Sequence, residues 1–156
     1  MSKRPKQDDH ANGDGSDEGR PLVAILGLGQ MGLVCSTILA DPERAGKPAH
    51  LRPRVVVWGH DPDEAARASQ ARRSERMPGL RVPQEVVITG DAREAVGRAD
   101  LIVSAIPVQY CRGVWEQIRS LVPSRTGVLS VAKGIENGTL LRPTQIIADV
   151  LRDDPD

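Results

Sequence analysis

Apolar residues along this chain fall into short runs, unbroken over 22–26, and the segments between those runs carry helical spacing. The runs are Leu22-Val23-Ala24-Ile25-Leu26, Arg54-Val55-Val56-Val57-Trp58, Val86-Val87-Ile88-Thr89, Leu101-Ile102-Val103-Ser104-Ala105-Ile106 and Val128-Leu129-Ser130-Val131. A strand that reads as a continuous apolar run is one buried on both faces, the condition of strands in a parallel sheet. Between the runs the pattern predicts helices over 31–40, after Asp61, briefly after Asp91, from Pro107 to about Leu121, and over 140–151. Asp61-Pro62-Asp63-Glu64 offers an N-cap, a proline at the first helical position and a capping-box glutamate, and Asp91 with Glu94 repeats the pattern. Residues 41–53, with their prolines, and 77–83 read as irregular. The expectation is an open, doubly wound, mostly parallel α/β sheet of five or six strands.

Residues 1–20 hold no apolar run and are rich in Gly, Asp, Asn and Lys. Such a segment cannot offset its own ordering entropy, so a disordered polar tail is expected there, an ordered domain over 21–152 and a short tail over 153–156. No 18 successive residues are apolar, so no membrane span is expected. Lys3, Arg4 and Lys6 run straight into Gln7-Asp8-Asp9 without an apolar core, unlike a secretory leader. Lys plus Arg and Asp plus Glu both total 21, which leaves no bulk field to draw in nucleic acid or an anionic membrane. Any anion site must therefore be built locally. With Trp58, Tyr110 and Trp115 as the only aromatic residues, a base-stacking surface is not expected either. Cys35 and Cys111 lie far apart and outside any metal or redox spacing, which argues against a disulfide scaffold and for a cytoplasmic protein. His10, His50 and His60 have no partner at ligand spacing, so no metal is expected.

The chemistry begins at Gly27-Leu28-Gly29-Gln30-Met31-Gly32, between the first strand and the first helix. Gly27 allows the tight turn, Gly29 lets the backbone approach a pyrophosphate, and Gly32 lets helix and strand pack closely. The phosphates would sit at a helix N-terminus, where free N–H groups and the helix dipole favour negative charge. This is the Rossmann-like pattern of dinucleotide binding; the alternative is a glycine-rich turn that serves only to reverse the chain. At the end of the second strand Asp61 is a ribose acceptor or a helix cap, and His60 contacts adenosine or a 2′-phosphate or is a solvated loop residue. The cofactor is accordingly NAD or NADP. Ligands of open α/β sheets lie outside the carboxyl ends of the strands, which brings Ser104-Ala105-Ile106-Pro107 and Ser130-Val131-Ala132-Lys133-Gly134-Ile135-Glu136 to the cofactor side. Lys133 is either a fixed ammonium beside a nicotinamide, able to hold a substrate oxygen or phosphate, or a surface lysine. Asn137-Gly138-Thr139 reads as a turn. No nucleophile–base arrangement, P-loop or metal box is present, and no catalytic residue is expected from these motifs.

Five motifs in order, the glycine turn, Val57-Trp58-Gly59-His60-Asp61, Met77-Pro78-Gly79-Leu80, Ser104-Ala105-Ile106-Pro107 and Ala132-Lys133-Gly134-Ile135-Glu136, resemble the N-terminal domain of bacterial NAD(P)-dependent glycerol-3-phosphate dehydrogenases over residues 22 to about 152. The resemblance implies reversible hydride transfer between glycerone phosphate and sn-glycerol 3-phosphate, the latter feeding phospholipid synthesis. It implies cofactor contacts at Gln30, Met31 and His60, and a contact of Lys133 with both cofactor and substrate. Gln30-Met31 departs from the usual pair and is similar instead to the Gly-Leu-Gly-x-Met-Gly turn of 3-hydroxyacid dehydrogenases. In the family a second, mainly helical domain supplies the catalytic base; the sequence stops at Asp156, so that domain is expected to be absent and the isolated chain nearly inactive. The alternatives are a non-catalytic NAD(H)-binding module, with a helical domain as its partner, and a fragment of a 3-hydroxyacid dehydrogenase.

Overall fold

The computed structural model describes residues 19–41 and 52–152. The tail expected over 1–20, save its last two residues, the interior of the 41–53 loop and the tail over 153–156 lie outside the described residues. Within them the order is β1 (Leu22–Leu26), α1 (Gln30–Ala40), β2 (Arg54–Trp58), α2 (Pro62–Ala71), β3 (Val87–Thr89), α3 (Ala92–Val96), β4 (Leu101–Ser104), α4 (Val108–Ile118) with a 3-10 turn at Arg119–Leu121, β5 (Gly127–Ser130) and α5 (Pro143–Leu151). The strands form one sheet in the order β3-β2-β1-β4-β5. Every pairing is parallel, so the expected architecture holds without an antiparallel edge.

The apolar runs form central strands because both of their faces are covered. Val23, Ile25, Val55, Val57 and Val103 pack with Leu33 of α1 and with Ala65 and Ala68 of α2. Ala24, Leu26, Val56, Trp58 and Ile102 face the other way, against Ala95 of α3, Cys111, Trp115 and Ile118 of α4, and Ile146 and Ile147 of α5. Trp115, fully buried, satisfies its indole by donating from Nε1 to Ser104 Oγ at 3.3 Å. Burial pushes the Cys111 thiol up to about 11, as befits a packing residue. Cys35 likewise packs, half-buried, against the α1–α2 side.

Several boundaries differ from the expected ones, each for a local reason. β4 ends at Ser104 rather than Ile106 because the chain turns out toward Pro107, which caps α4. β3 and β5 shift by one residue to match their neighbours, Val56 pairing with Val87 and Leu101 with Gly127. α5 begins at Pro143, not at 140, because Leu140 sits in the left-handed region at φ 58° and cannot continue a helix. The caps form at Asp61 and Asp91, but neither glutamate closes a box: Glu64 pairs with Arg76 at 2.8 Å, and Glu94 accepts from Thr89 Oγ1. β5 is the least covered strand, with Val128 and Leu129 exposed and no strand pairing its outer edge among the described residues.

Candidate functional site

Strand register alone assembles the site. Leu26 pairs with Trp58 and with Ser104, Trp58 with Thr89, and Ser104 with Ser130, so five strands end in one row. The next residues, Gly59, Gly27, Ala105 and Val131, form a second row stitched by the bonds from Gly59 N to Thr89 O, Gly27 N to Trp58 O, Ala105 N to Leu26 O and Val131 N to Ser104 O, at 2.8–3.0 Å. From β1 the chain winds one way to β2 and β3 and the other way to β4 and β5, so the switch point falls between β1 and β4. Ligands of doubly wound sheets bind in the crevice at that point.

The glycine turn lies there, and its three glycines are needed for different reasons. Gly27 takes φ 116°, a conformation side chains resist, and a Cβ on it would stand 3.1 Å from Ala105 O. A Cβ on Gly32 would stand 2.0 Å from Gly27 O, so only glycine lets α1 approach β1 this closely. At Gly29 a Cβ would meet nothing within 4 Å, so the fold itself does not require glycine there. Open space at the head of a helix is what an approaching phosphate needs. α1 has Gly29 as its N-cap, no side-chain cap and no acidic residue in its first turn, which leaves its opening amides and the positive end of its dipole uncompensated. Gln30 and Met31, the first helical residues, are both exposed.

Beside the turn, a Cβ on Gly59 would come within 2.3 Å of Leu28 Cδ1, so the glycine lets the end of β2 close on the buried Leu28. His60, the next residue, is exposed. Asp61 is the helix cap of the two alternatives left open by the sequence: Oδ1 accepts from Asp63 N at 2.9 Å and Glu64 N at 3.2 Å. Those amides, that of Glu64 first, hold its carboxyl below the usual carboxylate range. At the far side of the row Lys133 follows β5 by three residues and is exposed; among the described residues no hydrogen bond or ion pair engages its ammonium. His60 and Lys133 thus flank the turn, beyond strands that are three spacings apart, about 14 Å.

Comparison with known proteins fits this geometry. Residues 22–156 match the family model of the NAD-dependent glycerol-3-phosphate dehydrogenase N-terminus. The chain belongs to that family. It is 31% identical to an NAD(P)+ glycerol-3-phosphate dehydrogenase of Lactobacillus delbrueckii subsp. bulgaricus over 85% of this chain and 36% of the relative. With the enzyme of that name from Rhodopseudomonas palustris strain TIE-1 it shares 35% identity, over 81% of this chain and 36% of the relative. The chain therefore spans about a third of the length of these curated relatives. Its fold is that of a glycerol-3-phosphate dehydrogenase of Coxiella burnetii, with TM-score 0.73 at 21% identity over 86% of this chain and 38% of that one. The Plasmodium falciparum glycerol-3-phosphate dehydrogenase gives TM-score 0.74 at 21% identity, over 85% of this chain and 38% of that one. Membership of this family sets aside the fragment of a 3-hydroxyacid dehydrogenase.

Further residues stand around the glycine turn and at the same end of the sheet. Ser104 turns into the core toward Trp115, so from the stretch 104–107 it is the Ala105 carbonyl and the Ile106 side chain that border the glycine turn. Ser74, buried, stands 3.5 Å from Leu28 O and accepts from Arg76 N at 3.2 Å, which folds the segment ahead of Met77-Pro78-Gly79-Leu80 over the turn. Tyr110 is 69% exposed in the first turn of α4, at the same end of the sheet. An exposed aromatic at that end was a signal available in the sequence, since Tyr110 follows Pro107 by three residues. Asn137-Gly138-Thr139 is a turn, with Gly138 at φ 87°. An open hollow of about 800 Å³ lies elsewhere, between α2 and residues 71–78, and includes neither the glycine turn nor Lys133.

Proposed function

We propose that this chain is the cofactor-binding part of an NAD(P)-dependent glycerol-3-phosphate dehydrogenase. The observation that carries the proposal is the row of strand ends in which Gly29 leaves space at the head of α1 between His60 and Lys133. In this reading the pyrophosphate rests on the amides that open α1, Gly27, Gly29 and Gly32 shape the turn, and Gln30 and Met31 line it. Adenosine extends toward His60 and the nicotinamide toward Lys133, for NAD and NADP alike. The bound cofactor supplies or takes up the hydride exchanged between glycerone phosphate and sn-glycerol 3-phosphate. An ammonium at Lys133 would stabilise the negative charge that develops on the substrate oxygen.

The reaction also needs a group that delivers or removes the proton of that oxygen. Glu136, the carboxylate nearest Lys133 in sequence, is engaged by Arg112 and Thr139, so no catalytic residue is assigned. Lack of a general acid–base group costs about 10²–10⁴-fold. A cytoplasmic setting and substrates free of nucleic acid belong to the same proposal; among the described residues no helix is long and apolar enough to cross a membrane.

Titration of the purified chain with NADH and NADPH, followed by nicotinamide fluorescence, tests the binding claim. Saturable binding of either is expected, and binding of neither overturns it. A coupled assay of glycerone phosphate reduction is expected to give turnover near background; robust turnover would show that a residue of this chain serves as the acid–base group.

A further inference from the structure

The segment that carries Lys133 has no regular structure between the end of β5 and the start of α5, and Lys133, Gly134 and Ile135 are all exposed. Exposed irregular backbone of that length holds a side chain in place only if something pins it. The pins come from the first turns of α4. Gln109 bonds the loop with both ends of its amide: Nε2 donates to Ile135 O at 3.0 Å, and Oε1 accepts from Asn137 N at 3.0 Å. It stands in for a strand partner across these three residues. One turn further along α4, Arg112 makes a two-point contact with Glu136, from Nε to Oε1 and from Nη2 to Oε2, each at 3.0 Å. Its Nη1 reaches Asp149 Oδ2 on α5 at 2.8 Å. Glu136 in turn accepts from Thr139 Oγ1, its N–H donates to Leu141 O at 2.9 Å, and its carbonyl accepts from Leu140 N at 3.0 Å.

Glu136 is therefore the fixed point of the loop, a charged residue only 9% exposed, three residues beyond an ammonium that nothing described holds directly. Gly134, at φ 94°, makes the bend between them. We propose that Gln109 and Arg112 are positioning residues that set where the Lys133 ammonium stands relative to the reactive ring of the cofactor. The proposal rests on the dinucleotide reading above. It assigns a task to two residues of α4 that need not touch the cofactor themselves.

The test uses the full chain and two ligands, NADH and ADP-ribose, which share adenosine and pyrophosphate but differ in the nicotinamide. Q109A, R112Q, R112K and K133A are compared singly, and Q109A and R112Q also in the K133A background. Q109A and R112Q are expected to weaken NADH by about three- to tenfold, leave ADP-ribose within about twofold, and add nothing once Lys133 is gone, as coupled residues of one network do. R112K, which keeps the charge without the two-point fork, is expected to fall between wild type and R112Q. Equal losses for both ligands, or losses that add to that of K133A, would overturn the proposal and mark the clamp as purely structural. If R112Q does not fold, Q109A, at an exposed position, decides the matter by the same cycle. Failure of the wild-type chain to bind either ligand would instead count against the dinucleotide reading.

Discussion

The two ends of the candidate site are built from opposite materials. The glycine turn is made by removing side chains: Gly32 admits the helix, Gly29 leaves room, and the polar groups on offer are backbone amides held by the strand register. The Lys133 loop is made by adding them, its backbone held by Gln109, Arg112 and Glu136, across separations of 24 to 28 residues. The first end is rigid because it is part of the sheet. The second is tied to α4 by side-chain bonds from Gln109 and the Arg112–Glu136 ion pair, with local backbone bonds at Glu136. On the proposed binding mode, a site made this way would fix the shared, charged part of its ligand and leave adjustable the part where chemistry occurs.

Substitutions can break this contrast, beginning with the largest effect. Gly32→Ala places a Cβ 2.0 Å from Gly27 O, and relief requires α1 to move away from β1. A loss of about 3 kcal/mol is expected, the upper part of the usual overpacking range, read from urea unfolding. Gly29→Ala should do the reverse. With no atom within 4 Å of the new Cβ it should cost about 1 kcal/mol or less in stability, as an N-cap change. The phosphates, however, would lose hydrogen bonds from the helix head worth about 1.5–3 kcal/mol, roughly a tenfold or greater loss of NADH affinity by fluorescence titration. If Gly29→Ala binds like wild type, the turn is a chain reversal and not a phosphate seat. Asp61→Ala removes the cap of α2 and should cost about 1 kcal/mol by thermal unfolding.

The smallest effect is acid sensitivity, which should separate the two ends without any mutation. Arg112 first, then Thr139, holds the Glu136 carboxyl below its ordinary value of 4.5. A carboxylate with a depressed folded pKa stabilises the structure above its unfolded pKa, and that contribution is lost as pH falls through the folded value. Gly27 to Gly32 contain no titratable side chain. Lowering pH from 6 toward 3 should thus reduce the amide protection factors, taken against the intrinsic exchange rates at each pH, at Asn137 and Leu140 before it does at Gly27. Simultaneous loss of protection at both ends would show that the loop is as much part of the sheet as the turn is.

The same contrast explains how much of the molecule could be read from its sequence. Apolar runs and glycine spacing are local, so the parallel sheet, the first helix and the glycine turn between them were legible, and the one-residue shifts at β3 and β5 came from pairing with neighbours. Asp61 carried two local signals at once, and capping prevailed because Asp63 and Glu64 present their amides to it directly. Glu64 and Glu94 failed to close their boxes because Arg76 and Thr89 competed for them, one of them twelve residues away. Gln109 and Arg112 had no local signature. Three residues apart on a helix, they become meaningful only when β5 delivers the 133–137 loop beside them.

The bare outer margin of β5 bears on how such a chain behaves in solution. Gly127-Val128-Leu129-Ser130 carries no charge, its two apolar side chains are accessible, and among the described residues no strand pairs its outer edge, which leaves it able to template another strand. Crowded samples should therefore stick to one another along this seam, and light scattering should climb with protein concentration. Leu129→Lys should quiet that scattering, while ADP-ribose, which on the proposed mode seats on the glycine turn two strands away, goes on titrating as before.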